Sequence, residues 1–91
     1  MLYVLICIDK PGAAGIRQAN RKAHLEHLRM AGEAIVQAGP FLDDAGEMCG
    51  SMIVYAAANR GEAERWLRDD PYEKADLFES VTIRSWRRTV G

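Results

Sequence analysis

The sequence predicts an α+β domain whose elements follow the order βαββαβ. Short β-favouring runs at both ends and in the middle of the chain, separated by two segments of helical periodicity, carry this prediction. Short connections and right-handed crossovers fold this order into a four-stranded antiparallel sheet with both helices on one side, a ferredoxin-like layout. With 91 residues and no linker, repeat or low-complexity stretch, we expect one domain spanning residues 1–91.

The first half of the chain supplies a strand and a long helix. Residues 2–8 form a dense β-favouring run that stops at a turn containing Pro11 and Gly12. Helical periodicity then dominates from about residue 16 to residue 38, and Gly39 followed by Pro40 predicts the end of that helix.

The second half supplies a hairpin, a short helix and a last strand. Residues 41–42 lead into a turn at 43–46 and a β-rich run at 49–57, so strands two and three should pair antiparallel. Asn59 followed by Glu62 is a capping-box signal for a helix that reaches residue 69 or 70, since Pro71 disfavours its continuation. A brief turn or helical piece at 72–76 precedes a strand at 78–87.

Both faces of the predicted sheet are apolar. In the first strand, Leu2, Val4 and Ile6 alternate with Tyr3 and Leu5. Two helices cover one face, and an uncovered second face would be a larger apolar patch than soluble monomers tolerate. The sequence therefore predicts a homodimer that packs sheet on sheet, with a standard burial of about 800 Å² per partner.

Composition narrows the classes of partner and compartment. The net charge of −1 gives no bulk attraction to nucleic acid or to an anionic membrane. The apolar start is too short for a secretory signal or a membrane span, so we expect a cytoplasmic protein that binds no membrane. Cys7 and Cys49 fall in separate strands without a CxxC spacing, which is typical of two reduced core thiols.

The long helix turns polar residues toward its apolar side. At about 100° per residue, its stripe runs through Leu25, Leu28, Gly32, Ile35 and Val36. Arg21 and His24 project within roughly 50° of the stripe's centre. His24 is a candidate general acid or base, the alternative being a core histidine bonded to backbone. Arg21 is a candidate clamp for a substrate carboxylate.

Their neighbours on the helix are weaker candidates. Arg17 is a second candidate clamp for a substrate carboxylate, the favoured alternative being a position at the apolar edge of the helix with its charged head in water. His27 lies nearer the rim of the stripe, where a solvated histidine needs no explanation.

Asp70 is the most informative carboxylate in the chain. Helical phase places it inward, in register with Ala63, Trp66 and Leu67, and at the end of a helix its charge opposes the helix dipole. His24 or Arg21 would offset that cost, either as a catalytic pair or as a structural ion pair. A turn with the backbone after Pro71 is the third alternative.

Several segments in order resemble the YciI-like, YCII-related family of small proteins. They are MLYVLICID at the start, RKAHLEHL at 21–28, AGPFLDDAG at 38–46, GS at 50–51, DDPYEKADLF at 69–78 and VTIRSW at 81–86. The resemblance implies a dimeric α/β barrel and an active site around a histidine and an aspartate, here His24 and Asp70. A few members of that family act as lyases or dehalogenating enzymes on small ring-derived acids, so the resemblance implies the architecture more than the reaction.

The resemblance favours Asp43 over Asp44 as the turn residue that reaches the mouth of the site, although aspartate is common in turns for backbone reasons. Ser51 is a candidate hydrogen-bond donor to a substrate oxygen, but no G-x-S-x-G motif marks it as a nucleophile.

Motifs for cofactors are missing from the sequence. His24 and His27 lack a third ligand in a metal-binding pattern, and the glycines match neither dinucleotide nor phosphate-loop spacing, so we expect no metal and no other cofactor. RNA binding by the sheet lacks the required aromatic pattern. Two functions stay open: an enzyme for proton transfer on a small anionic molecule, and a non-catalytic ligand-binding or accessory dimer.

Overall fold

The computed structural model describes residues 1–91 and confirms the α+β, ferredoxin-like prediction. The four strands form one antiparallel sheet in the order β2-β3-β1-β4. The elements are β1 (Leu2–Asp9), α1 (Ala14–Ala31), a 3-10 turn (Gly32–Ala34), β2 (Ile35–Leu42), β3 (Met48–Ala56), α2 (Arg60–Arg68), α3 (Pro71–Lys74) and β4 (Phe78–Trp86).

The prediction of a helix to residue 38 is wrong. The helix α1 ends at Ala31, because Gly32 takes a φ of 58° that side-chain-bearing residues rarely adopt. Residues 35–42 then form β2, at one edge of the sheet. Pro40, interpreted above as a helix stop, lies within this edge strand, where a missing backbone donor is tolerated.

The sheet buries one face beneath the helices. Leu5 of β1 stands opposite Ile53 of β3 and Ile83 of β4, and all three side chains are buried. With Leu67 and Tyr72 from the helical side they belong to one hydrophobic core. The half-buried Leu28 packs against this core from α1.

The helix α1 contributes a different inward face from the one expected. Its buried residues are Arg17 and His24, whereas Leu25 is 44% exposed and Ile35 and Val36 belong to β2. The predicted apolar stripe is therefore wrong at Leu25 and beyond Leu28. Polar side chains occupy the centre of the helix–sheet contact.

The opposite face of the sheet is open. Val4, Ile6 and Met52 project there and stay half-buried, while Trp86 at the end of β4 is 42% exposed. A groove of about 430 Å³ runs over these residues.

Side-chain caps mark the starts of the last two helices. Asn59 caps α2 by accepting a hydrogen bond from the Glu62 N–H, as the sequence predicts. The four-residue α3 begins immediately after Asp70 with Pro71 in its first turn. None of the helices combines the length and the apolar character needed to cross a bilayer.

Candidate active site

His24 and Asp70 meet in the interior from different elements. The Nδ1 atom of His24 lies 2.9 Å from each carboxylate oxygen of Asp70. His24 is 6% exposed on α1, and Asp70 is fully buried. The two groups form a histidine–carboxylate pair that water barely reaches.

Asp70 also starts a helix. Its Oδ1 accepts a hydrogen bond of 2.9 Å from the Tyr72 N–H, as an N-cap residue does. As predicted, Asp70 lies at the C-terminal end of α2, directly after the C-cap residue Asp69, and in addition it is the N-cap of α3. Backbone and imidazole donors together satisfy the buried carboxylate.

This geometry selects one tautomer of His24. An ionised carboxylate only accepts hydrogen bonds, so Nδ1 carries the proton and Nε2 of the neutral ring holds the free lone pair. The imidazole also stacks on the Tyr72 ring, with centroids 3.9 Å apart and planes 14° from parallel. The ring is therefore fixed in orientation by an aromatic neighbour and a carboxylate.

A second buried pair lies two helical turns away. The Arg17 guanidinium donates from Nε to Asp9 Oδ2 at 2.7 Å and from Nη2 to Asp9 Oδ1 at 2.9 Å. Its Nη2 also donates to Ser51 Oγ at 2.9 Å. The expectation that Arg17 lies at the helix edge is wrong, since it is only 4% exposed.

The pKa of Arg17 shows how this burial is compensated. Desolvation alone lowers the pKa of a guanidinium, but the hydrogen bonds and charge of Asp9 outweigh it and raise the pKa of Arg17. Arg17 is thus a permanent cation whose fork is already occupied by a carboxylate.

A cavity of about 190 Å³ opens between α1 and the β2–β3 side of the sheet. Basic and polar groups line one part and apolar side chains the rest. The lining residues are Arg17, Arg21, His24, Leu25, Leu28, Ala38, Gly39, Pro40, Met48, Ser51, Ile53 and Tyr72.

Among the basic residues that line this cavity, Arg21 is the one that has no ion-pair partner in the chain. It is exposed to solvent on α1 and also lines an adjoining depression of about 260 Å³, together with Gly46 and Glu47 of the β2–β3 turn. Its position at the mouth suits a residue that captures an anion.

The other predicted residues divide between the cavity and the surface. Ser51 is buried and lines the cavity. Asp43 is not brought there: it is exposed, and its Oδ1 accepts the backbone N–H groups of Ala45 and Glu47. The alternative interpretation of Asp43 as a turn residue describes this contact.

His27 also lies outside the cavity. Its Nε2 donates to the Trp66 carbonyl oxygen at 3.0 Å, and the two rings stack with centroids 4.5 Å apart. These contacts tie α1 to α2.

Sequence reasoning missed Asp9 and Tyr72 and favoured a position at the helix edge for Arg17. The burial of Arg17 was detectable, since Arg17 precedes His24 by seven positions and so lies on the same helix face. Tyr72 and Asp9 gave no comparable signal. The structure contains no cluster of three or more His, Cys, Asp or Glu side chains with the arrangement of a metal site.

Among known protein families, the profile of the YCII-related domain matches residues 1–87 of this chain. The chain belongs to the YCII-related family. Protein YciI of Escherichia coli is 28% identical, over 97% of this chain and 98% of the relative, and Protein YciI of Shigella flexneri matches equally.

Solved structures share the architecture of this YCII-related protein. The 5-chloro-2-hydroxyhydroquinone dehydrochlorinase TftG from Burkholderia phenoliruptrix, in complex with 2,5-dihydroxybenzoquinone, superimposes with a TM-score of 0.89 and 30% identity, covering 96% of this chain and 94% of its own. A putative antibiotic biosynthesis monooxygenase from Bacteroides thetaiotaomicron has a TM-score of 0.60 at 10% identity, covering 99% and 90%. That second likeness shows the fold alone.

Proposed function

We propose that this protein is an enzyme in which His24, oriented by Asp70, transfers a proton on a small anionic substrate. The supporting observation is the contact of His24 Nδ1 with both Asp70 oxygens beside a cavity that also contains an unpaired Arg21. The reaction class is an elimination, isomerisation or hydrolysis. Side chains alone supply the proton transfer and charge stabilisation that such reactions require, so the proposal includes no cofactor.

His24 acts through its Nε2 atom. The Nδ1–H bond to Asp70 leaves the Nε2 lone pair available to take a proton from the substrate, and the buried carboxylate stabilises the imidazolium that results. A positioned acid or base of this kind accelerates proton transfer about 10²- to 10⁴-fold.

Arg21 holds the anionic group of the substrate, a carboxylate or an ionised ring oxygen. Arg17 is less suited to this role, because Asp9 already occupies its guanidinium fork. Ser51 Oγ accepts from Arg17, so its own hydroxyl proton is free to be donated to a substrate oxygen.

The cavity has room for a single ring. A closed apolar cavity of about 150 Å³ accommodates benzene. A volume of about 190 Å³ therefore accepts a six-membered ring with small substituents. Leu28 and Ile53 offer such a ring an apolar wall.

The likeness to TftG favours elimination among the three reaction classes. That neighbour is a dehydrochlorinase, and its complex contains an oxygen-substituted ring, 2,5-dihydroxybenzoquinone. For the present chain we therefore propose elimination on an oxygenated ring.

A non-catalytic binding module is the second candidate. It is favoured by the near-complete burial of His24 and Asp70, which is also typical of a structural ion pair. Against it, His24 lines a cavity together with Arg21. A histidine that served a structural ion pair alone would not need to border a cavity.

Chloride release from 5-chloro-2-hydroxyhydroquinone tests the enzyme proposal directly. We expect turnover in the unmodified protein and none in His24→Ala, while circular dichroism shows the variant still folded. Arg21→Gln should raise KM more than it lowers kcat. Turnover retained by His24→Ala would remove His24 from the mechanism, and binding of 2,5-dihydroxybenzoquinone without any turnover would favour the binding module.

We also propose that the protein functions as a cytoplasmic homodimer joined through the open face of the sheet. Val4, Ile6 and Met52 form an apolar surface there that no helix of the chain covers. A second copy of the same face would bury it, and about 800 Å² per partner makes a standard interface.

A further inference from the structure

Tyr72 has a buried hydroxyl that no group in the chain satisfies. The residue is fully buried, and its Oη atom has no hydrogen-bond partner. Buried polar side-chain atoms nearly always have a partner, so an orphan hydroxyl calls for a specific explanation. Tyr72 also lines the cavity that contains His24 and Arg21.

The Tyr72 ring is held where it is by several contacts. Its face stacks on His24, the Arg17 guanidinium carbon lies 4.6 Å from its centroid, and Phe78 meets it edge-on at 6.1 Å. Its backbone N–H is bonded to Asp70. With ring and backbone fixed, the hydroxyl is not free to swing into solvent.

No neighbouring polar group makes a hydrogen bond of normal geometry to this hydroxyl. Arg17 directs its well-formed hydrogen bonds to Asp9 and Ser51, and its guanidinium carbon lies 4.6 Å from the centroid of the Tyr72 ring. Burial raises the pKa of Tyr72 above its usual value of 10.0, against the opposing charges of Arg17 and Arg21. The hydroxyl thus keeps its proton at neutral pH and is available as a donor.

We infer that the Tyr72 hydroxyl donates a hydrogen bond to a ring oxygen of the bound substrate, distinct from the anionic group held by Arg21. This inference rests on the proposed function, since it places the substrate in the same cavity. It makes Tyr72 a specificity-determining residue that selects rings bearing a carbonyl, hydroxyl or phenolate oxygen. A site built to bond such an oxygen discriminates strongly against a ring that lacks it.

The test compares two ligands and two variants by titration calorimetry. The probes are 2,5-dihydroxybenzoquinone, which carries ring oxygens, and benzoate, which carries only an acid group. Tyr72→Phe removes the hydroxyl and keeps the ring on His24. Tyr55→Phe is the matched control. Tyr55 is also a buried tyrosine whose ring stacks on another ring, that of Trp66, but it lies outside the cavity.

We expect Tyr72→Phe to weaken binding of 2,5-dihydroxybenzoquinone about 10- to 100-fold, as loss of a hydrogen bond to a polar or charged oxygen does. Benzoate affinity should stay within about twofold, and Tyr55→Phe should change neither. The melting temperature of Tyr72→Phe should equal or exceed that of the unmodified protein, because the lost hydroxyl has no partner within the fold.

Each other outcome counts against the inference. Equal affinity of both proteins for 2,5-dihydroxybenzoquinone would overturn the role of Tyr72 and leave the proposed function standing. A lower melting temperature with unchanged affinity would show a structural hydroxyl, satisfied by water. No binding of either probe to the unmodified protein would overturn the proposed function and this inference together.

The unmodified protein gives a second measurement that needs no variant. It should bind 4-hydroxybenzoate more tightly than benzoate. Equal affinities for these two ligands would overturn the inference even if Tyr72→Phe failed to fold.

Discussion

Replacing Asp9 by Asn should destabilise this protein severely. The side chains of Arg17 and Asp9 are 5% and 6% exposed, so water cannot replace the carboxylate that the guanidinium loses. Removing one partner of a buried ion pair costs about 3–5 kcal/mol, because the remaining charge stays buried. At about 0.05–0.15 kcal/mol per residue, a 91-residue chain has about 5–14 kcal/mol in total, so between about a fifth and nearly all of its stability is at risk.

Thermal unfolding at fixed protein concentration measures this loss. At about 4–8 °C per kcal/mol for a domain of this size, Asp9→Asn should lower Tm by about 12 °C or more. Glu64→Gln, which breaks the exposed pair between Glu64 and Arg60, is the matched control and should change Tm by less than about 3 °C. A decrease in Tm of less than about 4 °C for Asp9→Asn would refute the argument that burial makes this pair indispensable.

A double variant distinguishes the loss of stability caused by an unpaired buried charge from the loss caused by poorer packing. Replacing both members by apolar residues, Asp9→Leu with Arg17→Met, leaves no unpaired charge in the interior. It should recover much of the stability that Asp9→Asn loses. A double variant less stable than Asp9→Asn would show that the pair contributes through its geometry rather than through mutual compensation.

Four further predictions concern the sheet. Burial raises the pKa of Cys7 from 9.0 to about 12, so a disulfide reagent at pH 8 should modify only Cys49 until denaturant is added; two reactive thiols in the folded protein would contradict this. Because the folded state keeps the Cys7 proton, its contribution to stability is complete below pH 9 and is lost as pH rises toward 12, which alkaline unfolding curves can follow. Gly50→Ala should cost about 1–3 kcal/mol in urea unfolding, since a Cβ there would lie 2.5 Å from the Cys7 carbonyl oxygen; an unchanged midpoint would show that the strands shift freely. Ile6→Asp, on the open face, should convert the proposed dimer to monomer in sedimentation experiments, and a monomeric unmodified protein at micromolar concentration would refute the interface.

The sequence predicted the topology of the sheet correctly but assigned residues 35–38 of β2 to the preceding helix. Alternation in β1 and β3 and the Asn59 cap identified their elements correctly, because each signal is local. Residues 35–38 have apolar spacing that continues the helical period, yet they pair with β3 instead. Gly32 decides between the two, through a backbone conformation that its neighbours in sequence do not reveal.

The candidate site was predictable to the extent that it depends on helical phase. His24 was placed inward correctly, and so was Asp70, which also caps α3. Arg17 could have been found by the same phase argument, but long basic side chains usually lie along helix edges. Its partner Asp9 is eight residues away on the preceding strand, a pairing that only the folded geometry creates.

The double engagement of Asp70 matters to anyone redesigning this protein. One carboxylate both starts a helical turn and steers the imidazole, so a replacement at position 70 disturbs scaffold and chemistry at once. The His24 imidazole, in contrast, bonds to the Asp70 side chain and caps no helix. A replacement at position 24 therefore disturbs less of the scaffold when its side chain still donates a hydrogen bond to the buried aspartate.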